Sequence, residues 1–156
     1  YRHFDGKQAL MDDVSLSRWR HMISLATVPG RYDRITRIIG VLDVYSRVCT
    51  ADSAFLHALN LRPGFGHLAE QMRLVFDPRF DELWRHAQAM GEIRPGVSSV
   101  DMVNLTSGIQ DQTRRHSMLA LLLSGALHPD IQADQILQQF PGGPKRESEN
   151  QMFSVA

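Results

Sequence analysis

Hydrophobic residues recur every three or four positions along most of the chain, a spacing that places side chains on one face of an α-helix. The first helix is predicted to begin at Asp5, a good N-cap, and to end at Pro29-Gly30. A second helix is predicted over residues 32–49, where only a narrow line through Thr36, Gly40, Asp43 and Arg47 is polar. A helix so apolar around its circumference is expected to pack on several sides. Since no stretch alternates as a β-strand does, the pattern predicts an all-α fold.

Glycine and proline divide the middle of the chain into shorter helices. A short helical piece is predicted over residues 53–60, closed by Pro63-Gly64. The next amphipathic helix begins at Phe65. Asp77-Pro78 has the form of an N-cap followed by proline in the first helical position, which predicts the start of a separate helix there.

The last third of the chain contains two closely spaced helices and a tail. Ser98 begins a sequence that resembles a capping box, and helices are predicted over residues 99–110 and 113–127. Residues 129–156 form a C-terminal tail that is expected to be largely disordered, with a weak helical pattern over residues 131–140.

Composition indicates an ordinary globular domain, with 43% hydrophobic and 22% charged residues. The formal net charge of +0 argues against this segment alone being a nucleic-acid-binding surface. The single cysteine, Cys49, has no partner for an internal disulfide and favours a reducing, cytoplasmic location. No apolar run reaches the length of a membrane span, so no membrane partner is expected. Because the chain begins at Tyr1 rather than at methionine, we expect it to be part of a longer protein.

Catalytic and metal-binding patterns are missing from the sequence. His67 and Glu70, and Glu82 and His86, are spaced to share a helix face, but neither pair has the order and spacing of a di-iron site. Solvated polar pairs are the simpler interpretation. No catalytic residue, metal ion or cofactor is therefore expected, and an enzyme with dispersed acid and base residues is the least favoured alternative.

The first fourteen residues, YRHFDGKQALMDDV, resemble the end of the DNA-binding domain of TetR-family transcriptional regulators. In that family the recognition helix closes with Tyr-x-His-Phe, and a lysine after a short turn opens the helix that leads into the regulatory domain. Tyr1, His3, Phe4 and Lys7 occupy these positions. Gln8 replaces the glutamate of the commonest form, and Asp5-Gly6 replaces its usual turn pair.

Two later stretches are similar to the same family. AQAMGEIRPGV, residues 87–97, resembles the Gly-Glu-Leu-Arg-Pro turn that precedes the penultimate helix, and LLLSGAL, residues 121–127, resembles the close of the final helix. The middle of the chain agrees with the family only in the number and length of its helices.

The resemblance implies a division of the chain and a partner. Residues 1–6 would be a remnant of the helix-turn-helix, and residues 7–128 a ligand-binding and dimerisation domain of the TetR type. Operator DNA would be bound through helices that precede Tyr1. Tyr1, His3 and Lys7 are the predicted DNA-binding residues of this chain, Tyr1 and Lys7 through phosphate oxygens.

The resemblance also implies a homodimer in which the last two helices pair with their twofold mates. The apolar stripes of these helices supply the predicted interface, which consists of Met102, Leu105, Ile109, Met118, Leu119, Leu122, Leu123 and Ala126. A core formed entirely within one chain is the open alternative for the same stripes.

A ligand cavity among the central helices is the second implied feature. Its predicted lining is apolar and aromatic, and consists of Trp19, Met22, Ile23, Leu42, Tyr45, Met72, Phe76, Phe80 and Trp84. Such a lining favours a hydrophobic or aromatic small-molecule effector, oriented by a few polar residues: Tyr45, His21, Gln71 and Asn104. Close-packed core is the open alternative for each apolar residue. The predicted function is a repressor that releases DNA on binding the effector; a helical dimerisation or protein-interaction module without a ligand is the alternative.

Overall fold

Six helices contain most of the residues that the computed structural model describes, namely residues 7–27, 30, 32–51 and 65–140. They are α1 (Lys7–Thr27), α2 (Arg34–Ala51), α3 (Phe65–Ala89), α4 (Ser99–Ser107), α5 (Arg115–Ala126) and α6 (Ala133–Leu137). These residues contain no β-strand, so the all-α prediction is confirmed. Tyr1, His3 and the predicted helix over residues 53–60 lie outside the described residues.

Helix α2 lies at the centre of the bundle and contacts all five other helices. Asp33 begins it, since its carboxylate accepts a hydrogen bond of 2.7 Å from the backbone N–H of Thr36. Ile38, Ile39 and Leu42 have no exposed surface. The prediction that this helix packs on several sides is thereby confirmed.

Helix α3 runs from Phe65 to Ala89 without interruption, so the prediction of a separate helix at Pro78 is wrong. Proline has no N–H to donate and removes one helical hydrogen bond. The cost is outweighed by burial on both sides of it: Phe76 and Phe80 are 5% and 2% exposed, and their rings stack with centroids 5.4 Å apart. Tertiary packing thus overrides the local helix-start signal.

The core extends into the segment predicted as a tail. Ala133 and Leu137 of α6 and the following Phe140 are buried against the rest of the bundle. Gly40 of α2 allows Phe140 to pack closely on this helix, because a Cβ at position 40 would lie 2.7 Å from the ring of Phe140. The domain boundary predicted at residue 128 therefore falls before the end of the core, while residues 141–156 lie outside the described part of the chain.

The Gly-Glu-Ile-Arg stretch pairs with the end of α5. Gly91, with φ of 78°, ends the turn that follows α3. The N–H of Arg94 donates to the carbonyl of Ala126 at 2.8 Å, and the N–H of His128 donates to the carbonyl of Glu92 at 2.9 Å. The carboxylate of Glu92 also pairs with the guanidinium of Arg34. This turn consequently holds the ends of α3 and α5 and the start of α2 together.

Candidate functional site

An open groove of about 520 Å³ lies between α2, α3 and α4. Its wall combines aromatic, aliphatic and charged side chains, and consists of Tyr45, Arg73, Asp77, Pro78, Phe80, Asp81, Arg85, Ser99, Val100, Val103 and Asn104. The volume falls within the usual range for small-molecule sites.

The start of α4 forms one edge of this groove. The side chain of Ser98 accepts a hydrogen bond of 3.0 Å from the backbone N–H of Asp101, which confirms the predicted N-cap. The next residue, Ser99, is buried and donates from its Oγ to the carboxylate of Asp81 at 2.8 Å. This bond between two residues of the groove wall links α4 directly to α3.

Four charged side chains follow one another at intervals of four residues along the groove face of α3. Asp81 forms an ion pair of 2.8 Å with the Nε of Arg85 and also accepts the hydrogen bond from Ser99, so its negative charge is balanced by Arg85. Arg73 and Asp77 have the same spacing, yet they form no ion pair within the described part of the chain. Burial raises the pKa of the Asp77 carboxyl, and the nearby Arg73 opposes this shift.

Tyr45 lines the α2 side of the groove. Burial raises its pKa to about 12, with further contributions from its hydrogen-bonded neighbour Cys49 and from Asp77. The phenol therefore stays neutral at physiological pH. Burial also raises the pKa of the Cys49 thiol, which makes a reactive thiolate unfavourable there.

Only two of the nine residues predicted to line a cavity, Tyr45 and Phe80, border this groove. Met22, Leu42, Phe76 and Trp84 are buried in the core, and Trp19, Ile23 and Met72 are partly buried. The aromatic rings pack in sequence from Trp19 through Phe76 and Phe80 to Trp84, with neighbouring centroids 5.4–6.0 Å apart. The predicted apolar lining is thus mainly close-packed core, as the alternative interpretation had it. Of the polar residues predicted to orient a ligand, Tyr45 and Asn104 border the groove, whereas His21 and Gln71 are exposed elsewhere.

The predicted dimer interface also divides into core and surface. Five of its residues are at most 2% exposed within the single chain, namely Met102, Ile109, Leu119, Leu123 and Ala126. A side chain already covered by its own chain has almost no area left for a partner, so these five belong to the core. Leu105 is 55% exposed, and Met118 and Leu122 are partly exposed. The largest apolar exposure on α5 is at Leu121, at 73%.

None of the four charged residues of the groove was among the predicted site residues. A usable signal was present, because Arg73, Asp77, Asp81 and Arg85 lie at i, i+4 intervals and must share one face of any continuous helix. The predicted break at Pro78 divided this series between two helices and concealed it.

A second polar cluster is buried between α2 and α5. The Arg115 guanidinium donates to the carboxylate of Asp43 at 2.7 Å and to the hydroxyl of Ser46 at 2.9 Å. Arg47 donates to the other carboxylate oxygen of Asp43 at 2.6 Å. Because its hydrogen-bonding groups are largely engaged with one another, we interpret this cluster as structural.

The described residues contain no group of three or more side chains suited to hold a metal ion. Within the same ranges, every helix is too short or too polar to cross a lipid bilayer. The chain matches no protein-family model, no curated protein and no solved structure. A family assignment consequently stays a prediction from the residues quoted at the two ends of the domain.

Proposed function

We propose that this chain is the regulatory domain of a TetR-type transcriptional repressor that binds operator DNA as a homodimer. A small molecule bound in the groove between α2, α3 and α4 would weaken DNA binding. The groove replaces the predicted apolar cavity as the effector site.

The observation that carries the proposal is the continuity of α1. This helix begins at Lys7, the lysine of the TetR-like segment, and runs without a break to Thr27. It packs against both α2 and α3. Its last carbonyls, those of Leu25 and Ala26, accept hydrogen bonds of 2.8 Å from the guanidinium of Arg37 on α2. One end of the helix is therefore fixed in the bundle, while the other directly follows in sequence residues 1–6, the proposed remnant of the DNA-binding domain.

A contiguous set of aromatic contacts connects the groove with this helix. Phe80 lines the groove and stacks on Phe76, whose ring lies edge-on to Trp19 of α1 at 5.6 Å. A ligand that displaces Phe80 would alter the packing beneath α1 and shift the position of its N-terminal end. The ligand changes DNA affinity only if it binds the two positions of α1 with different affinities. A tenfold weakening of DNA binding requires about 1.4 kcal/mol of coupling free energy.

The coupling is tested on the protein expressed from the natural start codon of its reading frame. Compounds that raise the melting temperature are identified first, and operator affinity is then measured by fluorescence anisotropy with and without each compound. We expect stabilising compounds to weaken operator binding and to change Trp fluorescence. Trp19→Ala should retain ligand binding while reducing the effect on DNA. Stabilising compounds that leave operator affinity unchanged would contradict the proposed coupling.

A second candidate is a helical dimerisation or protein-interaction module that binds no small molecule. The packed state of Met22, Leu42, Phe76 and Trp84 favours it, because the apolar lining expected of an effector cavity is filled by its own side chains. The same compound screen separates the two functions, since this module would give no saturable stabilisation by any small molecule.

A further inference from the structure

Arg73 and Asp77 border the groove as two opposite charges that form no ion pair with each other. Neither side chain has a hydrogen bond or ion pair with any described residue, although they are one helical turn apart. On the same face, Asp81 and Arg85 have identical spacing and form an ion pair of 2.8 Å. Spacing alone does not explain the difference.

The order of the two residues along the helix explains it. An i, i+4 pair is more favourable when the acidic residue comes first, because helical side chains lean towards the N-terminus. Asp81–Arg85 has this order, and so does Asp43–Arg47, which is paired at 2.6 Å. Arg73–Asp77 has the reverse order. Its two charges consequently remain available to a ligand.

The surroundings of this pair define what else a ligand would contact. Tyr45 supplies aromatic surface, Val100 and Val103 supply aliphatic surface, and Asn104 adds a neutral polar group. Asp81 and Arg85 already satisfy each other. A ligand therefore meets one free cation, one free anion and an apolar wall.

We propose that the groove binds a small zwitterion with an apolar body, the chemistry of a free α-amino acid with an aromatic or aliphatic side chain. Its ammonium group pairs with Asp77, its carboxylate pairs with Arg73, and its apolar body packs against Val100 and Val103. A regulatory role for this ligand class rests on the proposed function, but the binding itself is measured without DNA.

Charge complementarity favours a zwitterion over a ligand with a single charge. A cation would pair with Asp77 and be repelled by Arg73, whereas an anion would pair with Arg73 and be repelled by Asp77. A zwitterion forms a charge-assisted hydrogen bond with each residue. It also leaves the groove electrically balanced, because Tyr45 stays neutral and Asp81 is matched by Arg85.

The first experiment is isothermal titration of the chain with three probes that share a phenyl ring. They are L-phenylalanine, 2-phenylethylamine, which lacks the carboxylate, and 3-phenylpropionate, which lacks the ammonium group. We expect L-phenylalanine to bind at least about tenfold more tightly than either analogue, the ratio for loss of one charge-assisted hydrogen bond. Equal or tighter binding of an analogue overturns the proposal. So does failure of L-phenylalanine, L-leucine and L-tryptophan to bind saturably at millimolar concentration.

Single variants identify the two charge partners. Arg73→Gln and Asp77→Asn should each weaken L-phenylalanine binding about tenfold. Arg73→Gln should also leave 2-phenylethylamine binding unchanged or tighter, because it removes the repelling charge. Arg79→Gln is the matched control on the same helix outside the groove wall, and its affinity should equal that of the unmodified chain. Equal affinity in all three variants contradicts the assigned contacts.

Exchanging the two residues tests the argument from their order. The double variant Arg73→Asp with Asp77→Arg keeps both charges but places the acidic residue first, so the two side chains should pair with each other. We expect it to fold normally by circular dichroism and to lose at least about tenfold in affinity for L-phenylalanine. Undiminished binding by this folded variant overturns the argument.

The outcomes separate this inference from the proposed function. If L-phenylalanine binds as described but never affects operator binding, the ligand class stands and the proposed regulation fails. If no zwitterion binds while other compounds release DNA, the regulation stands and the ligand class fails.

Discussion

The guanidinium of Arg115 donates a hydrogen bond of 2.7 Å to the carboxylate of Asp43, which precedes it by 72 residues. Both side chains are buried, at 6% and 1% exposure. Two buried charges at this distance are tolerated because each satisfies the other, and because Ser46 and Arg47 complete the polar contacts. This pair joins the central helix α2 to α5.

Asp43→Ala should destabilise the domain by about 3–5 kcal/mol, because it leaves the buried Arg115 charge without its carboxylate. The free energy of unfolding is measured by urea denaturation. Asp43→Asn provides a milder variant if the alanine variant does not fold. Arg85→Ala is the control, since it breaks an exposed ion pair and should cost no more than about 1 kcal/mol. Similar costs for Asp43→Ala and Arg85→Ala would refute the structural role of the buried cluster.

The sequence shows why this cluster escaped prediction. Thr36, Gly40, Asp43 and Arg47 stand out as the only polar line on α2, and such a line normally faces solvent. Thr36, Gly40 and Asp43 are instead buried. Asp43 is buried because Arg115 meets it, and Gly40 because Phe140 packs on it, and both partners lie far along the chain. Periodicity reports which residues share a face, but it does not report what that face contacts.

Stability should fall on acidification through His116. Burial lowers its pKa from 6.5, and the neighbouring Arg115 lowers it further against the opposing effects of Asp43 and Asp134. The folded state therefore takes up this proton less readily than the unfolded state. The stability that His116 contributes in its neutral form is fully present above pH 6.5. It is lost as the pH falls from there towards the pKa of His116 in the folded state.

His116→Gln should thus reduce the loss of melting temperature between pH values above and below 6.5. His86→Gln, at an exposed position on α3, serves as the control and should retain the full dependence. An unchanged pH dependence in His116→Gln would show that this histidine does not sense acid in the folded state.

Gly40→Ala should destabilise the domain by about 1–3 kcal/mol, because the added methyl overlaps the ring of Phe140. In a Phe140→Ala background the same change should cost less, which a double-mutant cycle measures. Gly125→Ala on α5 is the matched control: it meets open space and should stabilise by up to about 1 kcal/mol. Additive effects of Gly40→Ala and Phe140→Ala would indicate that residues beyond 128 do not pack on α2.

The candidate site was harder to predict than the fold. The helical pattern sufficed to indicate an all-α chain with an apolar central helix. It did not distinguish a cavity lining from packed core, because Trp84 and Phe76 have the same periodicity in either case. It also placed a break at Pro78, since the burial of Phe76 and Phe80 that sustains α3 is a property of the tertiary structure.

Lys7→Ala in the protein expressed from its natural start codon should weaken binding to all DNA sequences alike. Loss of one phosphate contact lowers the slope of log affinity against log salt by about 0.9. Arg79→Ala, on α3, is the control and should leave the slope unchanged. A changed sequence preference in Lys7→Ala would mean that this lysine contacts bases rather than phosphate.

The central claim is that this domain serves a dimeric, operator-binding repressor, and selection of DNA from a random duplex library tests it most directly. The protein is expressed from the natural start codon of its reading frame, and residues 1–156 alone serve as the control. The account predicts enrichment of a palindromic sequence that binds two chains per duplex and that residues 1–156 do not enrich. Enrichment of no palindrome, with binding no tighter than to unselected DNA, would contradict it.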